Sequence, residues 1–443
     1  MIRQYALTLI TPVLVERKPE LFDLLEKVKE FLKENIDKDV KSVDDIGTIH
    51  YARWVVIDYE IEKGQSAMGD MPKLVYSSNF DYETQQPDKN RSAAAVEQHI
   101  EDLCTKAGDI IDMIYDCCEG YPLKEERIRN PGSRIQYLKK CLVPVAAFYQ
   151  GSPARSVKQI KGESELRNFI RKFLDSKKWD NQTAIQIHRE IKKAVFDNKE
   201  QDFSWVKDPV KLPWVNWWGL IAVCVCLLPL LIVLLFVLII WILIVQYGYE
   251  RHDKYFTLKR SQLNKEQIKT LETYEDFEMQ NQFSQLVVMK PGKVRLITFK
   301  FLMLVARVLI RFVFIEGKLM GIPTIHFARW VLFDNNKRVL FFSNFDGSWQ
   351  QYLGDFIDES GWGLTGIFSN TLNFPKTKFL IFRGAKDEEH FLAWSRNSEI
   401  QTQVWYNAYP HLSIKNVNNN SRIRSQLTKN LTERDAVEFL KLI

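Results

Sequence analysis

Apolar and polar residues alternate along QYALTLITPV (4–13), TIHYARWVVID (48–58), KLVYSSNFD (73–81) and PVAAFYQG (144–151), the period-two pattern of half-buried strands. Between and after them, PELFDLLEKVKEFLKEN (19–35), residues 97–118 and ESELRNFIRKFLD (163–175) place apolar residues at i, i+3 and i+4, which predicts helices. The order is strand, helix, strand, strand, helix, strand. This βαββαβ order predicts an α+β unit of ferredoxin-like type, an antiparallel sheet with helices on one face.

The same spelling returns later in the chain. TIHYARWVVID is answered by TIHFARWVLFD (324–334), LVYSSNFD (74–81) by VLFFSNFD (339–346), and FYQGSPARSVK (148–158) by WYNAYPHLSIK (405–415). HIEDLCTKAGDIIDMIYDCCEGYP (99–122) aligns on YLGDFIDESGWGLTGIFSNTLNFP (352–375) without a gap. Blocks repeated in one order predict a duplicated domain, with repeats at 1–176 and 283–443. Each sheet has a face that its own helices leave bare, so the two sheets are expected to pack against each other. SGWGLTG (360–366) reads as a loop or a loosely wound helix near a cavity.

Between the repeats lies an expected membrane segment (213–249), preceded by a linker helix region (177–212) and followed by a charged linker (250–282). Its core, WWGLIAVCVCLLPLLIVLLFVLIIWILIV (217–245), carries no charge, and Trp217, Trp218, Trp241, Tyr247 and Tyr249 stand near its ends, where interfacial aromatics collect. The run is long for one span and short for two. Pro229 either kinks a single helix or marks the bend of a helical hairpin that enters and leaves by one face. Repeats that pair must share one side of a membrane, which favours the hairpin. VRLITFKFLMLVARVLIRFVF (294–314), with Lys293, Lys300, Arg307 and Arg311 along one side, is either a core helix with a solvated stripe or a helix lying in the membrane interface.

Charge and cysteine content narrow the partners. The 61 basic and 55 acidic residues leave a net +6 that is slight and dispersed, so no nucleic-acid partner is expected, only a mild attraction to anionic lipid. The six cysteines form no CxxC pair and no zinc spacing; they predict buried thiols in a reducing compartment and no metal site. No cleaved leader is expected, and both repeats are placed on the cytoplasmic side of a membrane. Walker, GxGxxG, HExxH and GxSxG motifs are absent. Homo-oligomer formation stays open.

The candidate chemistry sits on the repeated hairpin. A turn at Asn335-Asn336 sets Arg329 opposite Phe342, Phe327 opposite Asn344 and His326 opposite Phe345. Arg329, Asn344 and Asp346 then share one face, and His326, Ser343 and Trp330 the other. In the first repeat a turn near Gln65 gives Arg53, Asn79 and Asp81 the same facing, with His50 answering His326. For the arginines the alternatives are an ion pair that staples the hairpin and a functional cation; for the histidines, a satisfied core imidazole and a group that binds a metal or haem or moves a proton.

The tandem βαββαβ order resembles the dimeric α/β-barrel superfamily in fused, pseudo-dimeric form. SNFDGSW (343–349) is also similar to the GxxDG motif of dye-decolorizing peroxidases, with Ser343 in place of the first glycine. That resemblance implies haem, with Asp346 and Arg329 in distal peroxide chemistry, Asn344 and His326 beside them, and His390 or His411, the histidines downstream of the motif, as the haem ligand. Two functions remain: a membrane-attached, peroxidase-like oxidoreductase acting on an apolar or lipid-like small molecule, and a non-catalytic membrane-anchored lipid-binding or scaffold protein with no cofactor.

Overall fold

The computed structural model describes residues 2–34, 46–58, 71–83, 91–208, 217–226, 228–314 and 319–443. It is an α+β protein with antiparallel sheets. The first half runs β1 (Ile2–Pro12), α1 (Lys18–Glu34), β2 (Ile49–Ile57), β3 (Lys73–Glu83), α2 (Arg91–Lys106), α3 (Gly108–Tyr115), α4 (Lys124–Arg129), α5 (Gly132–Lys140), β4 (Val145–Gln150) and α6 (Val157–Asp175). Then come α7 (Ala184–Phe196), the apolar helices α8 (Trp217–Cys226) and α9 (Leu228–Gly248), and α10 (Lys265–Glu272). The second half is β5 (Gln280–Val288), α11 (Lys293–Phe312), β6 (Ile325–Phe333), β7 (Arg338–Asp346), α12 (Trp349–Phe368), the short β8 (Thr377–Lys378) and β9 (Phe382–Arg383), α13 (Glu388–Asn397), β10 (Val404–Asn407), α14 (Ile414–Leu427) and α15 (Glu433–Leu440).

The last strand of each half is exchanged. One sheet has the order β1-β3-β2-β10 and the other β4-β6-β7-β5. Before it crosses, each exchanged strand still touches its own sheet. The Ile10 amide donates to Cys141 O and the Val143 amide to Thr8 O (both 3.0 Å), and the Leu286 and Ile400 amides make the equivalent bonds to Ser398 O and Ser284 O (both 2.9 Å). Hydrogen bonding therefore links the two sheets at both margins, and neither half is complete without the other. Covering edges in this way removes the templates that open sheets offer for aggregation.

Burial follows the period-two pattern. Outward faces carry Trp54, Tyr76 and Phe80 beneath the helices of the first half, and Trp330, Phe341 and Phe345 beneath those of the second. The Phe80 ring stacks on His99 and the Phe345 ring on Tyr352, each at 3.8 Å between centroids, so even the helix-to-sheet contact is duplicated. Between the sheets, Val55, Ile57, Val75, Leu286, Val331, Phe333, Leu340 and Phe342 fill one end of the interior. Residues 177–212 contribute α7 to a helical layer in which α6, α7, α14 and α15 bury Leu166, Ile191, Ile423 and Phe439.

SGWGLTG, read from its glycines as a loop or loosened helix, lies inside α12, which kinks at Ser360 (φ −129°, ψ 16°). The aligned position in the first half, Ala107 (φ −121°, ψ 24°), is where α2 gives way to α3. Burial of Ser360, Leu364, Thr365 and Ile367 holds this stretch helical despite its glycines.

Candidate functional site

The hairpin pairs Arg329 with Phe342 and Phe327 with Asn344 as expected. Its turn is wider, a four-residue loop closed by the Phe333–Arg338 pair, in which Asp334, Asn335 and Asn336 all have positive φ. Asn and Asp tolerate that conformation better than other residues bearing a Cβ. The equivalent first-half turn near Gln65 lies outside the described residues.

One expected facing is corrected. The register shifts between Ile325 and Phe327, and likewise between Ile49 and Tyr51, so each histidine is the extra residue of a β-bulge. The bulge turns His326 away from Trp330 and onto Asp346. His326 Nε2 lies 2.7 Å from Asp346 Oδ1, and His50 Nε2 lies 2.8 Å from Asp81 Oδ1. The second carboxylate oxygen of each aspartate accepts the first backbone amide of a helix, Ile414 N of α14 (2.8 Å) for Asp346 and Val157 N of α6 (2.7 Å) for Asp81. A carboxylate at a helix N-terminus satisfies a free amide and meets the positive end of the helix dipole.

The aspartate carboxylate only accepts, so each imidazole donates to it from Nε2. His50 Nδ1 is hydrogen-bonded to the Tyr409 hydroxyl at 2.9 Å. Tyr409 aligns with Ser152, and His326 Nδ1, although buried, has no hydrogen-bond partner among the described residues.

The arginines reach across, to the opposite half. Arg53 donates to Phe283 O (2.9 Å), Ser284 Oγ (3.0 Å), Ser343 O (2.9 Å) and Asn344 Oδ1. Arg329 donates to Leu7 O (2.6 Å), Thr8 Oγ1 (3.3 Å), Ser78 O (2.8 Å) and Asn79 Oδ1. Each arginine is only 2% exposed. Among the described residues neither meets a carboxylate, so the expected face of Arg329, Asn344 and Asp346 resolves into two separate sets. Asp346 pairs with its own histidine, and Asn344 serves the other half's arginine. Burial pushes both guanidiniums down to about 9, and for Arg329 the charge of Arg53 adds to the effect. Both remain cations at neutral pH.

Several participants escaped the sequence reading. Gln4 and Gln280 hold the loops that lead into α6 and α14 through bonds to Arg155 O (2.7 Å) and Leu412 O (2.5 Å), and Thr8 and Ser284 are ligands of the arginines. The signal was a weak fifth repeat, Gln4-xxx-Thr8 against Gln280-xxx-Ser284.

A haem site of the expected kind needs open space beside Asp346 and an arginine with free donors. The space between the arginines, lined by Tyr51, Ser77, Asn79, Phe327, Phe342 and Asn344, has no room for a water molecule, and the arginine donors are engaged. His390 pairs with Asp387 (2.8 Å) on a different wall of the protein, and His411 is exposed in the loop before α14. The residues present do not fit haem. No group of metal-binding side chains occurs among the described residues. Compared with known protein families, curated proteins and solved structures, the chain matches none.

Proposed function

We propose that the protein is a monotopic membrane protein, a non-catalytic lipid-binding or scaffold body in which two ferredoxin-like halves are fused as a pseudo-dimeric barrel on one side of a bilayer. The observation that carries this reading is the strand exchange. Halves that share both sheets cannot stand on opposite faces of a membrane.

The apolar segment also leaves from and returns to one body. On its N-terminal side Val206 is buried and Asp208 O accepts from Arg424; on its C-terminal side Val245 is buried and Gln246 and Glu250 bond the β8–β9 hairpin. Within Ile232–His252 an 18-residue window has a mean hydropathy of 2.5, and only 11% of it is buried. Trp241 of α9 donates to Thr298 of α11 (2.9 Å), so the helix is already held by protein at that level. The part of α9 beyond it, 228–240, extends about 20 Å at 1.5 Å per residue. That is less than the roughly 30 Å of a hydrocarbon core, so this part of α9 alone does not cross it; residue 227, where α8 joins α9, lies outside the described residues.

α11 supports the same surface. Ile297, Phe301, Leu304 and Val308 form an exposed stripe on one side of that helix, opposite its buried Arg295, Thr298, Phe299 and Met303. Lys293, Lys300, Arg307 and Arg311 flank the stripe, the arrangement of a helix lying in a membrane interface. The thiols described are free, which supports the cytoplasmic side.

Protease added outside sealed vesicles holding the full chain is expected to cut both halves in the same oriented population; digestion of the halves from opposite faces would overturn the reading. One feature favours the oxidoreductase reading, the buried and unpartnered Nδ1 of His326, whose Nε2 is held by Asp346. Haemin titration separates the two: no Soret shift is expected, and a stoichiometric one would reinstate the enzyme.

A further inference from the structure

The β8–β9 hairpin is clamped to the end of α9. The Phe379 amide donates to Gln246 Oε1 (2.5 Å), the Leu380 amide to Glu250 Oε1 (3.2 Å), and the Phe379 ring meets Tyr247 edge-on. At its tip Ile381 is exposed and Phe382 is 58% exposed, beside a helix that the proposed anchoring places at the bilayer.

Next to this tip lies a cavity of about 350 Å³, whose walls include Tyr255, Thr257, Lys376, Arg383, Lys386 and His390. Its one lining carboxylate, Asp387, is turned to His390 Nδ1 at 2.8 Å. Lys376 lies over the Tyr255 ring (5.4 Å), and Arg383 and Lys386 have no carboxylate partner among the described residues. Three cations thus converge with little to neutralise them. Self-repulsion of this kind is tolerated when an anion completes the site.

The backbone is built to hold them there. Arg383 has φ 63° and ψ −125°, a conformation costly for any residue with a Cβ. The turn is fixed by Gly384 N to Lys376 O (3.0 Å) and Ala385 N to Thr365 Oγ1 (2.9 Å), and a Cβ on Gly384 would come within 2.5 Å of Thr365. Strain of this kind persists where surrounding bonds over-determine it, and it collects at binding sites.

We propose that this cavity is a phosphate site that takes the anionic headgroup of a membrane lipid, with Arg383 and Lys386 as the main ligands and Lys376 and Thr257 at its margin. The phosphate would sit at headgroup level beside α9 while the acyl chains run along Phe382 and the exposed face of that helix. This rests on the one-sided anchoring proposed above.

The test uses the full chain in nanodiscs of phosphatidylcholine containing about one tenth phosphatidylglycerol, released into mild detergent for native mass spectrometry. One retained phosphatidylglycerol per chain is expected. R383Q/K386Q should cut that retention at least tenfold, because each lost charge-assisted contact to phosphate weakens binding roughly tenfold. Equal retention by wild type and variant, or none by wild type, overturns the proposal. Inorganic phosphate titrated into the detergent-solubilised chain is the second arm; displacement of the lipid at micromolar phosphate would assign the site to free phosphate and overturn the headgroup. Unchanged incorporation of the variant into phosphatidylcholine discs separates loss of the site from loss of anchoring, and an unchanged melting temperature excludes misfolding.

Discussion

Asp346 is the residue on which a catalytic and an architectural role diverge most sharply, and D346A measures the difference. The substitution removes two charge-assisted bonds, from His326 Nε2 (2.7 Å) and Ile414 N (2.8 Å), and leaves both donors buried. Hydrogen bonds to a charged partner contribute about 1.5–3 kcal/mol each, and the lost charge at the α14 N-terminus adds a few tenths to 1 kcal/mol. A loss of about 4 kcal/mol is expected. At about 2 °C per kcal/mol for a large chain, that is roughly 8 °C in melting temperature. D346N should lose about half as much. Its amide oxygen still accepts from Ile414, and its NH₂ can donate to His326 once the imidazole hydrogen moves to Nδ1, which has no partner to lose. Circular dichroism melts in mild detergent, with H326A and the double variant completing a cycle, give the coupling directly. A melting temperature for D346A within about 1 °C of wild type would refute the architectural role.

Other outcomes follow from single contacts. G151A is expected to cost several kcal/mol in thermal unfolding, because its Cβ would lie 2.1 Å from Ile325 O where β4 crosses the bulge, whereas G354A, with open space around it in α12, should be neutral or stabilising by up to about 1 kcal/mol. Burial lowers His99 to about 3, so only the unfolded chain takes up its proton between about pH 6.5 and 3. That contribution is complete above pH 6.5 and is lost on acidification, by up to about 1.4 kcal/mol per pH unit; H99Y, which copies Tyr352, should flatten the acid limb of a denaturation series by that slope. W241F removes the bond to Thr298 and should cost about 1 kcal/mol in detergent melts, with no change in secondary structure.

How much could be foreseen depended on how locally each feature was encoded. The duplicated hairpin was legible because its register follows from alternation, and Arg329 opposite Phe342 came out correctly. The bulges at His50 and His326 were not, since no glycine or proline marks them and one inserted residue reverses the facing of everything before it. Strand exchange was equally invisible: VAAFYQ and VWYN carry the same pattern whichever sheet they join. The arginines were singled out correctly, yet their ligands lie in the opposite half, and no spacing within one repeat can reveal a partner some 250 residues away. α11 was read both as a core helix and as an interfacial one, and it is amphipathic in both senses, buried on one side and apolar on the other.

Exchange also constrains the order of assembly. β4 pairs with β6, so the margin of the first half stays open until the second half has been made. Between them in the chain come α8 and α9, whose flanks are buried against the finished body at Val206 and Val245. Closing the sheets first would trap a long apolar segment in water, and leaving it there while β4 waits unpaired would place an exposed strand beside an exposed apolar helix, the combination most prone to aggregate. Under the one-sided anchoring proposed above, insertion of α8–α9 before closure would avoid both states and would bring β6 and β7 back to the same membrane face as β4. In that case the bilayer would also shorten in space the non-local pairing that makes such a fold slow to form. The buried arginine layer then completes the closure, since Arg53 and Arg329 find their carbonyl ligands only once the opposite sheet has arrived.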